Sequence, residues 1–241
     1  MAAPAWLVVP TFNEADNIEP LVEAALAALA EAAPGAHRVL IVDDASPDGT
    51  GELADALARR HKAVEVLHRP AKGGLGPAYL AGFDTALGAG AGYVLEMDAD
   101  FSHDPADLAR LLAATRDGAD VALGSRYTEG GGVTQWNAAR RAVSRGGCWY
   151  ARTTLGLGVR DLTGGFKCFR RAALEAIDLP SVRSRGYAFQ VELTYRAVRR
   201  GLRVVEVPIV FHERREGASK MSGRIALEAI WRVPQMRLRL R

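Results

Sequence analysis

Apolar and polar positions along the chain keep two alternating rhythms. Short, largely apolar runs fall at Trp6–Val9, Val39–Val42, Val64–Leu67, Tyr93–Met97 and Val121–Leu123. Such runs mark strands covered on both faces, since a half-exposed strand would alternate apolar with polar residues. Between them the period lengthens to that of an amphipathic helix, over roughly Ala15–Ala33, Gly51–His61, Pro77–Leu87 and Pro105–Arg116. Asp104 followed by Pro105 is a strong helix start, a capping side chain before a proline in the first turn. Strands that alternate with helices of this length need crossover connections and so build a parallel sheet. The expected fold is a doubly wound α/β unit, which binds its ligands at the carboxyl ends of the strands.

The second half is less regular. Gly130-Gly131-Gly132 predicts a flexible loop, followed by a helix from about Asn137 to Leu155 and another over Phe189–Arg200. Val204–Phe211 reads as a strand interrupted by Pro208, and Pro234 is expected to end any long helix near the carboxyl terminus. No linker or internal repeat divides the chain, so residues 1–241 are expected to form one domain.

Composition narrows the class. At 241 residues, 49 % hydrophobic and 24 % charged, the chain has ordinary globular proportions and room for a sizeable core. The first apolar run is too short for a signal peptide, and no stretch is apolar for the ~18 residues a spanning helix needs. Cys148 and Cys168 form neither a CxxC pair nor a Cys/His cluster, which reads as two reduced thiols in a cytoplasmic protein. The net charge of +3 is uneven: residues 212–241 carry eight Lys or Arg against three Glu. A basic segment of this kind is either a solvated tail or a surface for anionic lipid, worth ~1 kcal/mol per basic residue near such a membrane. The rest of the chain is slightly acidic and no reading motif is present, which argues against nucleic acid.

Four of the five apolar runs end in polar clusters. The first ends Pro10-Thr11-Phe12-Asn13-Glu14, and the second Val42-Asp43-Asp44-Ala45-Ser46-Pro47-Asp48-Gly49-Thr50. The fourth ends Asp98-Ala99-Asp100-Phe101-Ser102-His103, and the fifth Gly124-Ser125-Arg126-Tyr127. Asp48 and Thr50 also serve as helix starters. Asp98 and Asp100 stand apart, because carboxylates at alternate positions of a strand end repel each other unless a cation lies between them. A nucleotide diphosphate with Mg²⁺ or Mn²⁺ supplies that balance.

In that order, these motifs resemble the family 2 glycosyltransferases of GT-A fold, a Rossmann-like α/β architecture with a mostly parallel sheet flanked by helices. Asp161-Leu162-Thr163-Gly164-Gly165-Phe166-Lys167, Gly186-Tyr187-Ala188-Phe189-Gln190-Val191-Glu192 and Gly217-Ala218-Ser219-Lys220-Met221 are similar to the dolichol- or polyprenol-phosphate mannosyltransferases within that family. The resemblance runs from residue 7 to about 222. It implies that Pro10, Phe12, Glu14, Val42 and Asp44 hold the nucleoside, with Phe12 standing where the family usually has tyrosine. It implies that Asp98, Ala99 and Asp100 meet the diphosphate and a Mg²⁺ or Mn²⁺ ion, with Ser102 at a further metal-ligand position. Arg126, Arg140 and Ser144 match acceptor-phosphate positions, and Arg214 and Lys220 match basic residues that reach the diphosphate. Lys72 either approaches a phosphate or merely belongs to a tight glycine loop, and Arg141 competes with Arg140.

The activity implied is transfer of mannose from GDP-mannose to a polyprenyl phosphate with inversion. Asp100, Arg126, Arg140 and Ser144 are the residues expected to act. A phosphate monoester, largely dianionic near neutral pH, attacks without a strong protein base. UDP-glucose as donor, or a non-catalytic nucleotide-sugar-binding subunit, are the rivals. A lipid acceptor implies a peripheral position at the cytosolic face of a membrane, either directly or through a separate anchoring protein. Leu227, Ile230 and Trp231 share one face of a late helix that either rests on the membrane or packs against the sheet.

Overall fold

A computed structural model describes residues 3–184, 186–213 and 223–239, without the side chains of 187 and 223–230. Arg214 and Lys220 therefore lie outside the described residues, as do the side chains of Leu227 and Ile230. The first half follows the expected alternation: β1 (Ala5–Thr11), α1 (Ala15–Ala32), β2 (His37–Asp43), α2 (Thr50–Arg60), β3 (Val64–His68), α3 (Leu75–Gly88) and β4 (Tyr93–Glu96). A short 3₁₀ turn at Pro105–Asp107 precedes α4 (Leu108–Arg116), and the Asp104 side chain caps it, accepting from the Ala106 N–H at 2.9 Å. β5 (Val121–Ser125) follows.

The unbroken apolar runs are explained by burial on both sheet faces. Along β1 and β2, Ala5, Leu7, Val9, Val39 and Ile41 join one core cluster, with Ile18, Leu21, Val22, Ala25 and Leu29 of α1. The intervening Trp6, Val8, Leu40 and Val42 join a second cluster, with Ala78, Tyr79, Phe83 and Ala86 of α3. Each strand thus feeds two cores with alternate side chains. The Val42 side chain is spent on packing, so its backbone is what it can offer a nucleoside.

The second half contains β6 (Gly132–Val133), α5 (Ala138–Leu155), β7 (Lys167–Arg170), α6 (Arg171–Ile177), α7 (Gly186–Arg199), β8 (Val204–Pro208), β9 (Val210–Phe211) and α8 (Gly223–Arg239). The main sheet has the order β3-β2-β1-β4-β7-β5-β8, with β7 antiparallel to both neighbours and β8 parallel to β5. Strands of both halves therefore share one sheet. Sequence reading missed β7: its four residues, Lys-Cys-Phe-Arg, carry charge at both ends, yet Lys167 is fully buried. The expected strand over Val204–Phe211 divides at Ile209, since β9 leaves the main sheet to pair with β6. Pro234 does not end a helix, contrary to expectation. α8 passes through it, held by Val233 and Met236 in a third cluster with Ala151 and Leu155 of α5 and Tyr195 of α7. Tertiary packing here offsets the hydrogen bond that proline removes.

Both cysteines are free and buried, and burial pushes the Cys168 thiol up to about 12. Among the described residues no helix is long and apolar enough to cross a membrane.

Gly82 sets the approach of α3 to the sheet. A Cβ there would stand 2.3 Å from Val8 Cγ1 and 3.1 Å from Val42 Cγ2. Gly82→Ala is expected to destabilise the fold by ~1–3 kcal/mol through overpacking, outweighing the gain in helix propensity. Thermal denaturation should show a loss of several degrees, partly restored by Val8→Ala in the same chain.

Candidate active site

Of the four strand ends that carry polar clusters, three are followed by a residue in the left-handed backbone region. These are Asn13 (φ 56°) after β1, Ala45 (φ 57°) after β2 and Phe101 (φ 58°) after β4. Non-glycine residues hold this conformation only where surrounding contacts over-determine it. Those contacts are visible. Asp43 accepts from Ser46 Oγ at 2.6 Å and from Thr11 Oγ1 at 3.2 Å, which ties the first two rim loops together. Asp48 accepts from Thr50 Oγ1 at 2.6 Å and from the Ala15 N–H at 3.2 Å, and Thr50 Oγ1 accepts from the Glu14 N–H at 3.0 Å. Asp48 and Thr50 are therefore framework, as their helix-starting reading allowed.

With Asp43 turned inward, the Asp44 carboxylate meets the loop after β3. It forms a close ion pair with Arg69, and its other oxygen accepts from the N–H groups of Gly73 and Gly74 at 2.9 and 2.8 Å. Lys72 of that loop lies with its ammonium 3.5 Å from the centroid of the Phe12 ring. Thus Phe12 and Asp44, both expected at the nucleoside, contact the same loop, one that sequence reading left undecided. Arg69 went unnoticed, although it follows the third apolar run as directly as the other clusters follow theirs.

Asp98 and Asp100 stand at the end of β4. The Tyr79 hydroxyl donates to Asp98 Oδ1 at 3.0 Å, and Asp100 Oδ1 accepts from the Ser102 N–H at 3.0 Å. Burial, reinforced by Asp98, holds the Tyr79 phenol well above its usual range, so it remains a donor. Ser102 is buried beside Asp100, and its carbonyl accepts from the His212 N–H at 3.0 Å, tying this loop to the start of the late basic segment. Two carboxylates at alternate positions are hard oxygen donors suited to Mg²⁺ or Mn²⁺. Among the described residues no cluster of three or more His, Cys, Asp or Glu forms a complete cage. Mg²⁺ in nucleotide sites is commonly held by one or two carboxylates and completed by substrate phosphates and water.

Beneath this pair lies a fully buried ion pair. Lys167 Nζ donates to Glu96 Oε1 at 2.7 Å, to the Gly164 carbonyl at 2.7 Å and, in a very short contact, to Gln190 Oε1. Burial raises the Glu96 carboxyl from its ordinary value against the pull of Lys167. Neither Lys167 nor Glu96 was expected at the site. A charged residue inside an otherwise apolar run was the available signal.

The third group forms around Arg126. Its guanidinium meets Asp161 through Nε and Nη2, both at 2.7 Å, and Nη2 also donates to Thr163 Oγ1 at 2.7 Å. Burial works against both charges, yet each partner more than offsets it: Arg126 holds its proton more tightly and Asp161 is lowered. Glu206 of β8 fixes the Asp161 loop, accepting from the N–H groups of Arg160 and Asp161 at 2.9 and 3.0 Å. Arg126 and Arg140 both lie against Trp136, 5.7 and 4.4 Å from its ring centroid. Ser144 accepts from the Tyr127 hydroxyl at 2.6 Å. Arg140 also reaches Glu213 at 2.9 Å, whereas Arg141 is turned to the Trp136 carbonyl. The three acceptor-site candidates thus gather around Tyr127 and Trp136, and Arg140 is the more exposed arginine. His103 stacks on Phe166 at 4.9 Å, and burial lowers it to about 4, so it is neutral near pH 7.

The Glycosyl transferase family 2 profile matches residues 6–178. The polyprenol monophosphomannose synthase of Mycolicibacterium smegmatis is 49 % identical over 97 % of this chain and 86 % of its own. The undecaprenyl-phosphate mannosyltransferase of Micrococcus luteus is 47 % identical over 97 % of this chain and 94 % of its own. Among solved structures, glucosyl-3-phosphoglycerate synthase from Mycobacterium tuberculosis, crystallised with Mn²⁺, UDP and glucosyl-3-phosphoglycerate, shares the fold. Its TM-score is 0.72 at 18 % identity, covering 98 % of this chain and 80 % of that one.

Because Asp161 carries the only carboxylate paired with the buried Arg126 among the described residues, Asp161→Ala is expected to cost about 3–5 kcal/mol by stranding a charge. The double change Arg126→Met with Asp161→Leu should recover most of that in equilibrium denaturation.

Proposed function

The chain belongs to glycosyl transferase family 2, and on that premise we propose that it moves mannose from GDP-mannose to the phosphate of a polyprenyl lipid. The observation that carries this reading is near-half identity to two polyprenyl-phosphate mannose-transferring proteins, extending over almost the whole chain. Phe12 offers the nucleoside a ring face, with Pro10, Glu14 and the Val42 backbone around it. A base that bonds Asp44 exchanges with the Gly73 and Gly74 N–H groups, so nucleotide entry is coupled to movement of that loop.

Asp98 and Asp100, with Ser102 beside them, would hold Mg²⁺ or Mn²⁺, and Ala99 adds backbone near the diphosphate. A cation held there would supply positive charge to the departing nucleoside diphosphate. Arg214 and Lys220 serve the same diphosphate. On the acceptor side Arg140 and Ser144 position the lipid phosphate for in-line attack. Arg126, its guanidinium taken up by Asp161 and Thr163, anchors that wall rather than gripping the phosphate as expected. One phosphate oxygen forms a bond to the anomeric carbon as the bond from that carbon to the diphosphate oxygen breaks. The electron pair leaves with GDP, and the configuration inverts. A dianionic phosphate has no proton to lose in this step, so no carboxylate is needed as base.

Contact with the lipid surface falls to α5 and α8 in this reading. Val143 and Trp149 on α5 are 66 % exposed, and Trp231 and Leu238 on α8 are 73 % and 69 % exposed. The two helices pack together, with Arg237 donating to the Thr154 carbonyl at 2.7 Å. Large apolar side chains among arginines suit the interfacial layer of an anionic membrane. A separate anchoring protein can share this surface.

Purified protein with GDP-mannose, a short polyprenyl phosphate and Mg²⁺ is expected to yield the mannosyl lipid. UDP-glucose and UDP-N-acetylglucosamine should support less than about a hundredth of that rate, consistent with a site that rejects unmatched polar groups. Asp100→Asn should lower kcat/KM by roughly 10²–10³ through lost electrostatic stabilisation. Equal turnover of UDP-glucose would make the chain a glucosyltransferase, and no turnover of any donor would make it a binding subunit. In flotation with anionic liposomes, Trp149→Ser together with Trp231→Ser should reduce the bound fraction several-fold. Undiminished binding would remove these helices from the membrane contact.

A further inference from the structure

We propose that Gln190 is a substrate-contacting residue whose side-chain nitrogen donates to a hydroxyl of the transferred sugar. This rests on the mannosyl-transfer reading and extends it to a residue outside the expected site. Gln190 lies in the first turns of α7 and is 2 % exposed.

Its amide orientation is dictated by chemistry. A lysine ammonium has protons to give and no lone pair to offer. Lys167 is fully buried, and its three acceptors are Glu96 Oε1, the Gly164 carbonyl and Gln190 Oε1. The oxygen end of the Gln190 amide must therefore face Lys167, and the nitrogen end lies on the side toward Glu96 and Gly165. That nitrogen, Nε2, is buried and has no hydrogen-bond partner. A buried donor without an acceptor is costly and is retained where something else satisfies it.

The place it faces belongs to the rim. A Cβ on Gly165 would stand 3.2 Å from Gln190 Nε2 and 3.4 Å from both Asp98 carboxylate oxygens. The amide nitrogen and the first carboxylate of the metal-binding pair thus border one space, left narrow by a glycine without a side chain. Asp98 is where the donor's diphosphate and sugar are bound in the proposed reaction. A neutral donor at this position suits a sugar hydroxyl, which can accept from Gln190 while giving its own proton to Asp98. A carboxylate in place of the amide would repel Asp98 and leave that hydroxyl without its donor.

The test is kinetic and uses the full-length protein. Wild type, Gln190→Glu and Gln190→Met are assayed with GDP-mannose and its 2-, 3-, 4- and 6-deoxy analogues, at saturating polyprenyl phosphate. Gln190→Glu keeps an oxygen on Lys167 and the shape of the side chain, so it guards against simple loss of the fold. Both variants should lower kcat/KM for GDP-mannose by about 10- to 100-fold, the worth of one buried hydrogen bond. One deoxy analogue should already be poor for wild type, and on that analogue the variants should cause little further loss, because the contact is absent in both. An equal loss on all five donors, or no loss on any, overturns the proposal and leaves Gln190 a partner of Lys167 alone. Failure of wild type to use GDP-mannose would instead overturn the mannosyl reading itself, and this inference with it.

Discussion

The interior ammonium of Lys167 is the constraint on which the donor side of the site depends. A charge buried to this extent is tolerated only when its partners are in place, because its desolvation penalty is large and one missing acceptor leaves it uncompensated. Those partners come from three separate parts of the chain: Glu96 at the end of β4, Gly164 in the loop before β7, and Gln190 on α7. Satisfying one residue therefore aligns three elements. It also explains why β7 runs antiparallel in a sheet that is otherwise parallel. Entering between β4 and β5 from the rim, it places Lys167 opposite Glu96 in register. Asp98 stands two residues beyond Glu96, so the ion pair fixes the strand that presents the Asp98 and Asp100 carboxylates.

A second buried pair does the same for the acceptor side. Arg126 and Asp161 hold the end of β5 against the loop before β7, and Glu206 braces that loop from the edge strand. Both pairs are spent on geometry, which leaves the working groups on the exposed side of each. This division separates the rim into an acidic part, around Asp98 and Asp100, and a basic part, around Arg140 with Trp136 and Tyr127. In the proposed reaction, a donor held through a cation and an acceptor held through its phosphate would then be drawn to different walls. Nothing has to move a charge across the pocket during the reaction.

Legibility in the sequence followed the same line. The alternating α/β frame could be read because both sheet faces are buried, which gives β1 and β2 unbroken apolar runs and leaves β4 broken by Glu96 alone. The rim clusters could be read because Pro10 to Glu14, Asp43 to Thr50 and Asp98 to His103 each interrupt such a run. β7 could not. Its buried Lys167 looks like a surface residue until Glu96 and Gln190 are brought to it from 71 and 23 residues away. The passage of α8 through Pro234 was hidden for a similar reason, since Val233 and Met236 hold the helix by contacts with α5 and α7 that no local pattern reveals. Arg69 is different: it stands at a strand end like the others, and the signal was there to be used.

The placement of carboxylates bears on how the reaction can proceed. Asp161 is committed to Arg126, Asp44 to Arg69 and the glycine loop, Asp43 and Asp48 to the rim turns, and Glu96 to Lys167. Each of these has a structural partner that would be stranded if the group took up a proton. For any of these to act as base toward a neutral alcohol acceptor it would have to leave its partner, at the cost of several kcal/mol that breaking a buried pair entails. A phosphate acceptor requires nothing of the kind, because it arrives already deprotonated. The polar groups of this rim are thus arranged for a nucleophile that brings its own charge, and arginine beside the acceptor wall is the residue type suited to receive it.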